Sequence, residues 1–276
     1  YSSVASDVYK EAGFGAKYSD PATLPTGTGN KVKFSPSGSA IAIAHSTSPN
    51  ITAYPWSSST GFGTKYTNPS TLPGTTGNSV AFSPDGTAIA VATSATPYIQ
   101  AYPWSGSGFG TKYSNPTTLP PGNTKDVEFS PDGTVIAIAH TGGSYVSAYA
   151  WSSSGFGTKY TDPATTVFNG ISVAFSPDGA SIVVGSATSP FVWGYPWNNS
   201  TGFGTKFSDP VSTLGNDATD LMFTPDGKYL LTCTPTSGQV SSYRWSSSNG
   251  FNGLGKTAIP VSAFVHTGLA YGKINI

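Results

Sequence analysis

The sequence is poor in charged residues, and this shortage excludes several functions at once. Only 9% of the residues are charged, and 13 Lys+Arg balance 13 Asp+Glu, so the net charge is zero. An average soluble domain carries about 25% charged residues. Binding to nucleic acid or to an acidic membrane surface needs a basic patch, which this composition does not supply. We therefore expect no nucleic-acid partner.

Residues that bind metals or form cross-links are equally scarce. The one cysteine, Cys233, excludes an intrachain disulfide, and His45, His140 and His266 are too far apart for the spacing of a zinc site. We therefore expect neither a metal nor a cofactor. The longest apolar runs, such as 40–44 and 182–184, are far shorter than the roughly 18 residues that cross a bilayer. These runs predict a soluble protein without membrane insertion.

Glycine and proline are abundant, with 33 and 22 copies that together make up one residue in five. Both residues are unfavourable in the interior of helices and common in turns. This composition disfavours long helices and predicts many short strands joined by turns.

A phrase of the sequence recurs every 47 or 48 residues. Gly-Phe-Gly begins at five glycines, and Gly-Phe-Asn begins at a sixth: Gly13, Gly61, Gly108, Gly155, Gly202 and Gly250. Ser-Pro-Asp-Gly, or a close copy of it, begins at Ser35, Ser83, Ser130, Ser176 and Thr224. A tryptophan follows each of these turns, at Trp56, Trp104, Trp151, Trp197 and Trp245.

Every segment of one repeat has the pattern of a strand or a turn. In the copy that covers 108–151, Gly-Phe-Gly-Thr-Lys-Tyr and 126–129 alternate as strands, and 135–140 and 145–151 read as two more. Ser-Pro-Asp-Gly between them predicts a type I turn with proline at its second position. Four strands without a helix predict one blade of a β-propeller.

The sequence Val-Ala-Phe-Ser-Pro-Asp-Gly, followed by a small or aliphatic strand at 80–92 and 173–185, resembles the WD-repeat family of β-propellers. The resemblance covers nearly the whole chain. The sequence departs from the family in two features: Trp is followed by Ser or Asn instead of Asp, and the Gly-His pair is missing. The resemblance therefore supports a shared blade architecture better than it supports shared binding partners. The phrases Tyr-Pro-Trp-Ser, Gly-Phe-Gly-Thr-Lys-Tyr and Thr-Leu-Pro also resemble repetitive propeller proteins of tailed bacteriophages.

The repeat count predicts one six-bladed propeller domain that covers residues 1–276. The repeats run over about 13–60, 61–107, 108–154, 155–201 and 202–249, with 250–276 and 1–12 completing the ring. The innermost type of strand occurs six times, ending with 269–271. We therefore expect strands from the two chain ends to share one blade, because an open ring would leave sheet edges and faces unpaired.

Two sets of side chains are candidates for binding. The first set begins with five residues at the start of the Trp-containing strands, where exposed aromatic side chains would form a rim: Asn50, Tyr98, Tyr145, Phe191 and Gln239. It also includes two histidines at the end of the preceding strand, His45 and His140. The second set comprises charges that do not repeat and that lie on or beside innermost strands, where they would line a central channel: Lys31, Lys33, Lys125, Asp126, Glu128 and Asp220. Packing between blades and mutual neutralisation are the simpler explanations of the two sets.

Three functions fit these observations. Near-identical blades without a set of acid, base and nucleophile predict a non-catalytic binding or structural module, such as a virion-associated adhesion or decoration protein, in a virion or the extracellular space. This reading implies no enzyme activity, no catalytic residue, a protein or carbohydrate surface as ligand, and a monomer. The alternatives are a multivalent lectin that uses the aromatic rim, and a propeller enzyme of the lactonase or hydrolase type that uses the channel charges.

Overall fold

The computed structural model describes residues 16–235 and 240–251, which form strands, turns and loops. Twenty strands make five antiparallel sheets of four strands, and in every sheet the strands are hydrogen-bonded in chain order. These sheets are called blades one to five in chain order. The described residues include no helix, and hence none that could cross a membrane. The all-β, propeller-like arrangement of repeated four-stranded blades is therefore confirmed.

The strands occupy the same positions in each repeat. The innermost strands are β1 (Gly29–Phe34), β5 (Gly77–Phe82), β9 (Thr124–Phe129), β13 (Gly170–Phe175) and β17 (Asp220–Phe223). The second strands are β2 (Ala40–His45), β6 (Ala88–Thr93), β10 (Val135–His140), β14 (Ser181–Ser186) and β18 (Tyr229–Cys233). The third strands are β3 (Ile51–Ser57), β7 (Ile99–Ser105), β11 (Val146–Ser152), β15 (Val192–Asn198) and β19 (Val240–Ser246). The outer strands are β4 (Gly61–Phe62), β8 (Gly108–Phe109), β12 (Gly155–Lys159), β16 (Gly202–Phe203) and β20 (Gly250–Phe251).

The outer strands are shorter than the sequence pattern predicted. The Gly-Phe-Gly-Thr-Lys phrase pairs over only two residues in blades one, two and four, whereas β12 has five. The third strands of blades one, two and four contain Pro55, Pro103 and Pro196, and blade three has Ala150 at this position. Since proline has no backbone N–H to donate to a neighbouring strand, it shortens the ladder, and the blade with alanine keeps the longer outer strand.

The core lies between neighbouring blades. The second strands of blades one and two present large aliphatic side chains on one face and alanines on the other. Ile89 and Val91 of blade two pack against Ala42 and Ala44 of blade one, and all four are fully buried. In these two blades the alternation of large and small residues thus sets which face meets which neighbour.

A cluster of aromatic rings repeats at the outside of each pair of blades. Trp104 makes edge-to-face contacts with Tyr66, Phe82 and Phe109 at 5.0 to 5.2 Å between ring centroids. Tyr66 follows the outer strand of blade one, so its ring joins blade one to blade two. A Cβ on Gly108 would lie 3.1 Å from the Tyr66 ring, and Gly108 has φ 97°, so only glycine fits here.

The predicted sixth blade lies mostly outside the described residues. Of the segments assigned to it, only Gly250–Phe251 is described, and this pair forms the outer strand of blade five. Val32 of blade one is 53% exposed, whereas Val80, Val127 and Val173 at the equivalent position are fully buried. Tyr18, which precedes blade one, packs on Trp56 at 5.2 Å, as Tyr66 does on Trp104.

Candidate functional site

Three of the non-repeating charges meet in the space enclosed by the innermost strands, which we call the central channel. Lys31, Asp126 and Asp220 occupy equivalent positions in blades one, three and five. Lys31 Nζ lies 2.6 Å from Asp220 Oδ1 and 4.0 Å from Asp126 Oδ1. One lysine therefore links three blades that are not neighbours in sequence.

The Asp126 carboxylate is held by two further blades. Ser79 Oγ of blade two donates a hydrogen bond to Oδ1 at 2.6 Å, and the backbone N–H of Val173 in blade four donates to Oδ2 at 3.0 Å. Both partners lie 47 residues from Asp126, which is one repeat away in each direction. The Asp126 side chain is buried and fixed by contacts from both sides. Ser79 was not among the predicted site residues, although its distance of one repeat from Asp126 was a usable signal.

The two carboxylates keep Lys31 charged. Burial by itself would lower the pKa of the Lys31 ammonium group, but the negative charges of Asp126 and Asp220 outweigh this effect and raise the pKa above its usual value. Lys31 is therefore a permanent cation at neutral pH, and it neutralises part of the negative charge of its two partners.

Glu128 lies two residues beyond Asp126 on the same side of β9. The equivalent positions hold Lys33 in blade one, Ala81 in blade two and Ala174 in blade four. Burial raises the pKa of the Glu128 carboxyl from 4.5 to about 7; Lys33 opposes the rise and Asp126 adds to it. At neutral pH both the protonated and the ionised form are populated, as a general acid or base requires.

Lys125 lies beside this group at a bulge of the innermost strand. The register of β9 against β10 shifts between Thr124 and Asp126, and the innermost strands of blades one, two and four have a bulge at the same place. The bulged Asn30 and Asn78 each donate a side-chain hydrogen bond to the next blade, at 2.8 Å to Gly77 O and 2.7 Å to Thr124 O. Lys125 takes the position of these two asparagines in blade three.

The side chains proposed as a binding rim close the hairpins between second and third strands. Asn50, Tyr98, Tyr145 and Phe191 all have left-handed backbones, with φ between 64° and 67°. Asn50 is buried, and the other three are partly buried. Tyr145 and Phe191 pack against the hydrophobic cluster shared with the following blade. Gln239 lies outside the described residues.

The two candidate histidines are fully buried at the ends of β2 and β10. His45 Nε2 lies 2.9 Å from Thr52 Oγ1, and His140 Nε2 lies 2.9 Å from Ser147 Oγ. Burial lowers the pKa of His45, and it lowers the pKa of His140 to about 4. Both imidazoles are therefore neutral at pH 7, and neither is open to a ligand.

A groove lies away from the channel charges, between blades three and four. Its volume is about 600 Å³, and Asp132, Asp178, Trp197 and Asn199 are among the residues that line it. Asn199 donates to Asp132 at 2.7 Å and accepts from Trp197 Nε1 at 2.8 Å, and Trp197 is buried. The contact between Asn199 and Asp132 joins the two blades and gives these groove residues a structural role, so the channel cluster is the better candidate for chemistry.

The described residues contain no group of three or more His, Cys, Asp or Glu side chains that could hold a metal ion. In the channel, the ammonium group of Lys31 occupies the place between Asp126 and Asp220 where a cation would bind. The chemistry available there is proton transfer and electrostatic stabilisation by fixed charges.

Comparisons with known proteins place the fold among propellers. No protein-family model matches the chain, and no curated protein matches it. A proposed 6-phosphogluconolactonase of Bacteroides uniformis is similar in structure, with a TM-score of 0.63, 18% identity, and coverage of 80% of this chain and 67% of that one. A proposed 6-phosphogluconolactonase of Bacteroides fragilis has a TM-score of 0.61 and 17% identity, and the match covers 77% of this chain and 65% of that one. A protein from Lactobacillus plantarum has a TM-score of 0.64 and 16% identity, and the match covers 83% of this chain and 70% of that one.

These similarities contradict our expectation of a non-catalytic adhesion or decoration module without enzyme activity. Of the structures named above, two are named for a lactonase, and none comes from a bacteriophage. At these identities the likeness shows the shared fold alone. The expectation relied on near-identical blades and on the absence of a set of acid, base and nucleophile, but in a propeller the reactive side chains come from strands of different repeats.

Proposed function

We propose that this protein is a hydrolase that opens a lactone ring in its central channel. The observation that carries the proposal is the cluster of ionisable side chains from blades one, three and five in a chain whose other charges largely repeat with the blade. The similar structures named for a lactonase support the reaction type.

Glu128 is the general base of the proposed reaction. Its carboxylate takes a proton from water as the water oxygen adds to the carbonyl carbon of the lactone. The tetrahedral intermediate then breaks the bond between this carbon and the ring oxygen, and Glu128 returns the proton to the ring oxygen. The product is an open-chain hydroxy acid, and Glu128 is again a carboxylate. A base with a pKa close to the working pH is best suited to this exchange.

Lys33 and Lys31 have different roles in this proposal. Lys33 interacts electrostatically with Glu128, so its ammonium group is placed to stabilise the negative charge that develops on the carbonyl oxygen. Lys31 is a positioning residue, because its charge is engaged by Asp126 and Asp220. It fixes the two aspartates, and through them the environment of Glu128.

The test is hydrolysis of glucono-δ-lactone, with the spontaneous rate subtracted. We expect Glu128→Gln to lower kcat/KM by about a hundredfold or more, since general base catalysis contributes that much. Asp162→Asn is the matched control: Asp162 belongs to the same repeat but pairs with Lys159 outside the channel. Wild-type protein without activity above the spontaneous rate, or an unaffected Glu128→Gln variant, would refute the proposal.

The pH dependence adds a second readout. Glu128 must be ionised to accept a proton, so kcat/KM should rise with pH through about 7 and level off above it. The Asp162→Asn control should keep this profile, and the residual activity of Glu128→Gln should lose it.

A further inference from the structure

The balance of charge in the channel limits which lactones it can accept. Among the described residues, two cations, Lys31 and Lys33, face three carboxylates, those of Asp126, Glu128 and Asp220. With Glu128 ionised, these five groups sum to a charge of −1. Lys125, at the neighbouring bulge, brings the sum only to zero.

The residue type best suited to phosphate is also missing from this site. Arginine binds a phosphate group through two parallel hydrogen bonds, and a cluster of lysines can do so through charge alone. The only arginine of the chain, Arg244, lies on β19, the third strand of blade five, and is exposed. Of the two channel lysines, Lys31 is engaged by two aspartates and Lys33 interacts with Glu128.

The channel does offer acceptors for hydroxyl groups. The Asp220 side chain is 51% exposed, although Lys31 and the backbone N–H of Leu221 both donate to its Oδ1. An ionised carboxylate accepts hydrogen bonds and donates none, so it suits a ligand rich in hydroxyl donors. The same carboxylate would repel a second anion.

We infer that the substrate is an uncharged polyhydroxylated lactone. This inference rests on the proposed function and deepens it. It distinguishes this chain from the similar structures that are named for a phosphorylated lactone, because the described residues of the channel offer a phosphate group no surplus positive charge.

The experiment compares glucono-δ-lactone with its 6-phosphate ester as substrates of the wild-type protein under the same buffer conditions. We expect kcat/KM to be at least about tenfold higher for the uncharged lactone. Equal values or a preference for the phosphate ester would overturn the inference and leave the proposed function intact. Failure to hydrolyse either lactone would overturn the proposed function, and the inference with it.

An amide substitution shows whether charge is the cause of the preference. Asp220→Asn should narrow the difference between the two substrates severalfold by improving kcat/KM for the phosphate ester. Asp226→Asn, in the turn of the same blade, should leave the preference unchanged. If Asp220→Asn keeps the melting temperature but leaves the preference as it was, charge does not decide the selection and the inference fails.

Raising the ionic strength gives a further readout. Because salt screens repulsion, it should raise kcat/KM of the wild-type protein for the phosphate ester relative to the uncharged lactone. This readout does not depend on how a variant folds.

Discussion

The periphery of each blade and the central channel use the repeat in opposite ways. At the periphery the same contact recurs: Trp104 and Trp151 each meet three aromatic rings at 5.0 to 5.3 Å. In the channel, one repeat position holds lysine in blade one, serine in blades two and four, and aspartate in blades three and five: Lys31, Ser79, Asp126, Ser172 and Asp220. Identical copies build the fold, and departures from the copy create the charged site.

The largest effects should come from the peripheral aromatic clusters, and they should be equal between blades. Trp104→Ala and Trp151→Ala each remove a buried ring from an equivalent cluster, so each should lower the free energy of unfolding by about 3–5 kcal/mol. Urea denaturation measures this loss. A difference of several kcal/mol between the two variants would show that the peripheral clusters are not equivalent.

Lysine substitutions should separate the two regions. Lys31→Met leaves Asp126 and Asp220 without their shared cation, and we expect a loss of about 2–3 kcal/mol, less than for a fully buried pair because Asp220 is half exposed. Lys65→Met removes a lysine that repeats with the blade and contacts Asn68, and should change stability by less than about 0.5 kcal/mol. If urea denaturation gives both variants the same loss in free energy of unfolding, the channel and the periphery do not differ in this respect.

The turn aspartates should give the smallest effects. Burial by itself would raise the pKa of the Asp132 carboxyl. The hydrogen bonds that Asp132 accepts from Ser130 and Thr134 outweigh burial and hold this pKa below the usual 3.8. A lowered pKa stabilises the folded state above about pH 4, and this contribution is lost as the pH falls below it. Blade one has Ser37 at the equivalent turn position, where its hydroxyl contacts Ser39.

Ser37→Asp should therefore stabilise the protein by about 0.5 kcal/mol at pH 7, a small gain because the turn is exposed. The gain should disappear at pH 2, where the new carboxyl is protonated. Thermal unfolding at both pH values measures it. Unchanged or lower stability at pH 7 would mean that blade one cannot adopt the turn of its neighbours.

The sequence predicted the repeated features well because they depend on neighbours within one repeat. The turn at Ser130 and the strand Val135–His140 follow from local residue types, and both are present. The short outer strands depend on whether proline or alanine stands in the third strand, which the repeat phrase alone does not reveal. The burial of His140 depends on packing around the end of its strand.

The channel site was only partly predictable for a related reason. The unusual charges at Lys31, Asp126 and Asp220 were visible in the sequence, but their contact depends on how the blades are arranged around the channel. The pKa of Glu128 depends on burial and on charges from other blades, so no local motif could report it.

The titration of Glu128 in the folded protein tests most directly whether the channel gives this carboxyl the properties of an acid–base group. The chain has only two glutamates, Glu11 and Glu128, so protein labelled with carboxyl-¹³C glutamate gives two resonances, and Glu128→Gln identifies the one from the channel. We predict that an NMR titration will give Glu128 a pKa of about 7. A Glu128 resonance that titrates near the ordinary value of 4.5 would contradict this acid–base role.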